Sequence, residues 1–401
     1  THTPHTRPSR RSRLLGPLQA LQSPMAVDTT TTTTTTAPLH PEGCEAGGGE
    51  AVRPLLSGAP AVEEDEDLDV RYAPYARRDA YGPMGRGPLP ALQVARLVFA
   101  AAVLLPLRLI AGVLLVIAYY LVCRVCTLFA DVGEEGRPRL HGWRREAVLG
   151  AGRALSRAML FVFGFYWIRV SDRSIPNAED VPEDQSEELE RPGAIVSNHV
   201  SYVDVLYHMS ASSPSFVAKN SVSKLPLIGL ISKCLGCIFV QRESKGSDSR
   251  GVSGSVTERV QEVSQFKNSP MLLLFPEGTT TNGDYLLPFK TGAFLARAPV
   301  QPVILRYPYR RFSPAWDSMD GARHVFLLLC QFANYMEVVR FPVYYPSEQE
   351  KEDPRVYAYN VRKLLATEGN LVLSNLGLAE KRVYHAALNG NSPRALHQKD
   401  D

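Results

Sequence analysis

The sequence predicts an α/β protein: a mostly parallel sheet with helices on both faces, preceded by a membrane-embedded helical segment and a disordered N-terminal region. Three observations predict it. Seven short, apolar, β-branched runs alternate with amphipathic stretches, and strands alternating with helices build a parallel sheet covered on both sides. An apolar run at 97–123 precedes them and is long enough to span a bilayer. The residues ahead of it lack the apolar surface a core requires.

Residues 1–90 contain a threonine homopolymer at 29–36, the stretch "EGCEAGGGE", the acidic run "EEDED" and many prolines. Such composition cannot bury enough apolar surface to offset chain entropy, so a disordered region is expected. The chain starts at Thr1, and Met25 is the first methionine. Residues 1–24 therefore read as translated leader or part of a longer precursor. Their Arg-rich, acid-poor start, "THTPHTRPSRRSRLL", also keeps a plastid transit peptide open.

Residues 91–165 form the expected membrane-embedded segment and linker. The apolar run carries one charge, Arg108, and one proline, Pro106. A mid-membrane arginine costs roughly 2.5–3.5 kcal/mol. Pro106 would break the run into halves, each too short to cross alone. Arginines flank both ends, among them Arg77, Arg78, Arg96, Arg124 and Arg137, so positive charge gives no orientation. A membrane-embedded hairpin with both ends cytosolic satisfies these facts. A single tilted helix is the alternative, and a buried core helix a third.

The α/β domain is expected over 166–385, with a flexible tail at 386–401. Candidate strands are 166–171, 193–197, 215–219, 237–241, 271–275, 300–307 and 336–341. One helix is expected to start at the capping box Ser255-x-x-Glu258, with Val256, Val260 and Val263 on one face. Another starts at Asp353-Pro354, an N-cap followed by proline at the first helical position, with Val361, Leu364 and Leu365 facing in. The apolar run "HVFLLLCQFANYM" (324–336) is too short to span and reads as a core or interfacial helix.

Composition excludes some functions. With 401 residues and 45% hydrophobic content a large core is possible, and a formal charge of +3 is too small to argue for nucleic acid. The cysteines include two C-x2-C pairs, Cys123/Cys126 and Cys234/Cys237. No histidine or carboxylate lies close to either, so they read as buried small hydrophobes rather than a metal site. A reduced, cytosol-facing protein fits.

The chemistry starts at "IVSNHVSYVDVLYH". His199 and Asp204 are five apart, which is not one face of a helix. The spacing works if His199 ends a strand and the chain turns into a helix capped by Ser201. Asp204 then sits in the first turn and can fix the imidazole tautomer and stabilise imidazolium. Alone the pair is weak. Other strand ends carry Lys219, Arg242 and Glu277, and ligands bind beyond the carboxyl ends of strands in open α/β sheets. These residues are expected to converge on one crevice with His199.

Four ordered stretches then resemble the motifs of the glycerolipid acyltransferase superfamily: His199-x4-Asp204, Gly236-x-x-Phe239-x-x-Arg242, Phe275-Pro276-Glu277-Gly278-Thr279 and Val300-x-Pro302. The stretch "PFKTGAF" (288–294) is also typical, and 327–365 is similar to the lysophospholipid acyltransferase branch. The resemblance implies a membrane-bound enzyme that transfers an acyl chain from acyl-CoA to the free hydroxyl of a lysophospholipid. His199 would be the general base and Asp204 its orienter. Arg242, Lys219, Glu277, Gly278, Thr279 and Pro302 would bind substrate, and backbone N–H groups around Gly278 would meet the oxyanion. Acyl-CoA is a co-substrate; no cofactor or metal is implied. An endoplasmic reticulum membrane with a cytosolic catalytic domain is the implied location. Relatives acting on lysophosphatidic acid continue the third motif with Arg-Ser, where Thr280-Thr281 stands here. This favours lysophosphatidylethanolamine or lysophosphatidylcholine. A lysophosphatidic acid acyltransferase, a CoA-independent transacylase and a lipid hydrolase are the rival readings.

Overall fold

The computed structural model describes residues 68–131, 133, 136–173, 191–240, 248–265 and 269–390. Each of the seven expected runs forms a strand; the central ones are buried on both faces, while Ile168–Asp172 at the sheet edge is largely exposed. In chain order the strands are β1 (Ile168–Asp172), β2 (Ala194–Ser197), β3 (Ser215–Lys219), β4 (Ile238–Val240), β5 (Leu272–Leu274), β6 (Tyr285–Leu286), β7 (Val300–Arg306), β8 (Met336–Arg340) and β9 (Val372–Leu373). One sheet runs β1-β8-β7-β2-β5-β3-β4, and β6 and β9 form a separate pair. Within the large sheet, β7 and β8 are antiparallel and the other neighbours parallel.

Period-two alternation distributes the sheet between two cores. Ala194, Val196, Val300 and Ile304 pack with Val256, Val260, Tyr357, Val361 and Leu365 on one side. Ile195, Val303 and Leu305 pack with Leu160, Phe165, Val203 and Leu328 on the other. The helix Pro354–Gly369 begins as expected, with the Asp353 side chain accepting from the Arg355 N–H. The helix Asp248–Gln265 begins earlier than expected, so Ser255 lies inside it and is not its cap. Val256, Val260 and Val263 are buried all the same. The run at 324–336 is helical only within Gly321–Leu329, after which the chain turns into β8.

The hairpin reading is corrected. Residues Ala91–Cys126 form one continuous helix, long and apolar enough to cross a membrane by length and composition. Pro106 does not break it, because a π-helical turn at Ala100–Leu104 precedes the proline. The Leu105 N–H reaches back to the Ala100 carbonyl, and this wider turn makes room for the ring. Arg108 turns inward instead of facing lipid. Its guanidinium donates to the carbonyls of Leu329 (2.7 Å), Gln331 (2.6 Å) and Phe332 (3.2 Å) and to the Tyr166 hydroxyl (3.0 Å). A cation thus meets the negative end of the helix Gly321–Leu329. Farther along, Tyr119, Cys123 and Cys126 pack on Val148, Ile231, Leu235 and Cys237. The outer side, including Leu107, Ile110, Val113 and Leu114, remains exposed.

Residues 68–90, placed by composition in a disordered region, are ordered on the domain. Tyr75 and Arg77 are buried, and Arg77 bridges Asp79 and Asp317. Partners distant in sequence supply the core that this segment lacks by itself. The tail expected at 386–401 starts too early, since the helix Leu378–Leu388 continues through 388; its residues from 391 and the remainder of the disordered-region expectation (1–67) lie outside the described residues.

Candidate active site

Strand β2 delivers His199 two residues beyond its carboxyl end, and the helix Val203–Ser212 carries Asp204 in its first turn. Tyr202 is the N-cap residue, one later than expected, and no side chain caps the helix in the usual way. Asp204 instead ties down the turn that precedes the helix. Its Oδ2 accepts from the backbone N–H groups of Val200 (2.8 Å) and Ser201 (2.9 Å) and from His199 Nδ1 (2.9 Å). Its Oδ1 accepts from the Tyr307 hydroxyl at the end of β7. Asp204 is fully buried, whereas the His199 side chain keeps 21% exposure. The imidazole stacks on Phe275, with ring centres 4.1 Å apart. Engaging Nδ1 leaves Nε2 as the free ring nitrogen.

Glu277 follows β5 and faces inward. Its two oxygens accept from the His199 N–H (2.7 Å) and the Leu287 N–H (2.8 Å), so the carboxyl braces the histidine backbone against the next loop. Burial pushes its pKa up to about 8, against the lowering effect of those two bonds. Gly278 adopts φ +73, and a Cβ there would stand 2.5 Å from Lys290 Nζ. The Gly278 N–H is spent on the Phe275 carbonyl (3.1 Å), which removes it as an oxyanion donor. Thr279 is half-buried beside it.

The structure therefore brings His199, Asp204, Glu277, Gly278 and Thr279 together. Lys219 ends the neighbouring β3 and is exposed. Pro302 is not with them: it lies buried in β7 opposite Val196. Its missing N–H is harmless there, since β8 pairs with β7 only from Val303 and Gln301 donates to the Phe341 carbonyl instead. Arg242 lies outside the described residues. Thr280 is buried; its hydroxyl donates to the Trp316 carbonyl (2.5 Å) and accepts from Lys381 Nζ (2.8 Å). The side chain that replaces the arginine of lysophosphatidic acid enzymes thus points into the protein. Sequence reasoning missed Tyr307, Lys290 and Lys381. Of these only Lys290 carried a signal: it stands within the quoted "PFKTGAF".

An apolar cavity of about 470 Å³ opens at His199. Its walls include Leu115 and Tyr119 of the long helix, Met159, Phe216 and Ile231. Volumes of about 300–1,000 Å³ suit small-molecule ligands.

A family model described as Acyltransferase matches residues 172–306. The chain is 56% identical over 381 residues to lysophospholipid acyltransferase LPEAT1 of Arabidopsis thaliana, covering 87% of this chain and 95% of that one. It belongs to the glycerolipid acyltransferase superfamily, in its lysophospholipid acyltransferase branch. The acyltransferase is also 32% identical to a lysophosphatidylcholine acyltransferase of Drosophila melanogaster, over 69% of this chain and 49% of that one. It thus spans nearly all of the first relative and about half of the second. The crystal structure of the 1-acyl-sn-glycerophosphate (LPA) acyltransferase PlsC from Thermotoga maritima is similar with a TM-score of 0.36 and 19% identity, over 67% of this chain and all of that one.

Proposed function

We propose that the enzyme transfers an acyl chain from acyl-CoA to the free hydroxyl of a lysophospholipid, with His199 as general base. The observation that carries this reading is the single free nitrogen of an Asp204-held imidazole at the mouth of an apolar cavity. His199 Nε2 takes the hydroxyl proton as the oxygen attacks the thioester carbon. Asp204 stabilises the imidazolium that forms. The tetrahedral intermediate collapses, the C–S bond breaks, and the imidazolium proton goes to the departing thiolate. The acyl chain occupies the apolar cavity. Oxyanion stabilisation falls to the N–H groups of Thr279 and Thr280, which have no protein acceptor among the described residues, and to the Lys290 ammonium over the Gly278 turn. Lys219 and Arg242 serve acceptor or coenzyme phosphates, and Thr279 lines the acceptor side.

Lysophosphatidylethanolamine and lysophosphatidylcholine are the preferred acceptors. The names of the Arabidopsis and Drosophila relatives support a lysophospholipid. So does the absence of a guanidinium at position 280, although the inward aim of Thr280 makes an arginine there a poor test. The enzyme sits in the endoplasmic reticulum membrane with its domain in the cytosol. Its long helix lies along the domain, fixed at Arg108 and again at Tyr119, with the apolar outer side in lipid. Purified wild type and His199→Ala, assayed with several lysolipids and acyl-CoAs, test the reading. Wild type is expected to prefer the two zwitterionic acceptors, and His199→Ala to fold, stay membrane-bound and lose acyl transfer. Near wild-type turnover by His199→Ala would refute the mechanism.

A further inference from the structure

A second cavity, of about 360 Å³, lies between the start of the long helix, the loop after β7 and the end of the helix Gly321–Leu329. It shares no lining residue with the catalytic cavity. On the helix the two are separated by the stretch from Leu97 to Leu115, about 27 Å at 1.5 Å per residue.

Three arginines line this second cavity: Arg96 from the helix, and Arg310 and Arg311 from the loop. All three are exposed, and no aspartate or glutamate stands among the lining residues. Among the described residues none of the three side chains forms an ion pair. Three adjacent guanidinium groups without a counter-charge repel one another, and their planar forks match phosphate oxygens. Gln93 supplies a different request: its side-chain oxygen is buried, and the residue lines the cavity with no hydrogen-bond partner for that oxygen among the described residues. It needs a donor, which a phosphodiester group by itself does not offer. Leu97 and Phe332 give the otherwise mixed wall an apolar strip, and Phe332 stacks with Phe99 of the helix at 6.5 Å.

Position sharpens the assignment. Arg96 immediately precedes the apolar run, so the cavity sits at the level where a helix passes from headgroups to acyl chains. We propose that this cavity binds an anionic membrane lipid whose headgroup carries a phosphodiester and free hydroxyls, separately from the lipid being acylated. The arginines take the phosphate, a headgroup hydroxyl donates to Gln93, and the chain leaves along Leu97 and Phe332. The proposal rests on the long helix being embedded in lipid, and it does not depend on the catalytic roles of His199 and Asp204.

The test titrates short-chain phosphatidylglycerol onto the purified full-length chain in detergent, with short-chain phosphatidylcholine in parallel. Wild type and His199→Ala should bind the first and not the second. Arg310→Ala/Arg311→Ala should weaken binding about tenfold or more, with an unchanged thermal midpoint, because charge-assisted bonds are lost. Arg310→Lys/Arg311→Lys, which keeps the charge, should retain part of the affinity. Inorganic phosphate and adenosine 3′,5′-bisphosphate should not displace the lipid. Equal binding of phosphatidylcholine, unchanged binding by the alanine pair, or displacement by either soluble phosphate at matched concentration would each overturn the assignment. Loss of acyl transfer with intact phosphatidylglycerol binding, as expected for His199→Ala, separates this site from the catalytic one.

Discussion

Asp204 accepts hydrogen bonds from four separate groups, and each constrains something different. Val200 and Ser201 N–H fix the turn, His199 Nδ1 fixes the tautomer, and Tyr307 fixes the carboxylate itself. Asp204→Asn offers one acceptor oxygen and an amide that cannot accept, so the wrong tautomer is imposed. Turnover should fall by up to about 10⁴-fold with the fold retained, as steady-state kinetics and circular dichroism will show. Tyr307→Phe removes only the brace. It should lower kcat with little change in KM, and Tyr307 then counts as a positioning residue. Glu277 gives a pH signature. Its folded pKa, raised to about 8 by burial, exceeds the ordinary value of 4.5. The folded state therefore holds a proton that the unfolded state releases. The stability from this group is full below about pH 4.5 and is lost as pH rises through about 8. Glu277→Gln mimics the neutral carboxyl, so unfolding midpoints of the two proteins should run parallel at low pH and diverge as pH rises through that window, wild type losing stability relative to the variant.

At the level of elements, the strands were legible because each is a short apolar run bounded by turn residues. The helix boundaries were less so. Ser255-x-x-Glu258 imitates a helix start inside a helix whose own beginning, at Asp248, has no comparable local mark. Pro106 looked like a break because a π-helical turn cannot be read from one proline. Arg108 looked like a cost in lipid because its carbonyl partners lie more than 200 residues away. The same distance effect hid Tyr307, 103 residues from Asp204, although the His199–Asp204 pair itself was visible. The cysteines are a further case. The two C-x2-C pairs, read separately as small hydrophobes, meet where the long helix packs on the domain, with Cys123 and Cys234 in the same cluster. If the helix docks this way, copper-phenanthroline oxidation of the membrane-bound enzyme should form a Cys123–Cys234 disulfide. Protease cleavage between the two, followed by non-reducing electrophoresis, should then leave the fragments linked. Cys234→Ser should abolish the link, and separate fragments from wild type would contradict the docking.

For the whole molecule, the segment 68–90 acts as a strap across the catalytic loop. Arg77 donates to Asp317 (3.2 Å) and to the carbonyls of Ser313 (2.8 Å) and Ala315 (3.2 Å), and it pairs with Asp79. Asn282, three residues after Thr279, donates through its side chain to the Ala73 carbonyl (2.8 Å) and through its backbone to that of Pro74 (2.8 Å). Tyr75 reaches the Gly377 carbonyl (2.6 Å), just before the helix Leu378–Leu388. That helix returns Lys381 to Thr280 (2.8 Å), so strap and final helix clamp the loop that begins at Glu277. Composition alone suggests that everything before Gly87 is dispensable, and these bonds say otherwise. Deleting 1–67 leaves every one of them in place and should preserve thermal stability and activity. Deleting through 87 strands Asp317 without its buried partner, a loss of roughly 3–5 kcal/mol for a broken buried pair. The loop should then lose its register at His199, because the Thr281 N–H bonds the His199 carbonyl (3.0 Å). Arg77→Met separates the ion pair from the rest of the strap and should lower the midpoint by less than the deletion. Thermal unfolding and acyl transfer, measured on all three proteins in one detergent, decide it: equal stability of the two deletions would show that the strap holds nothing.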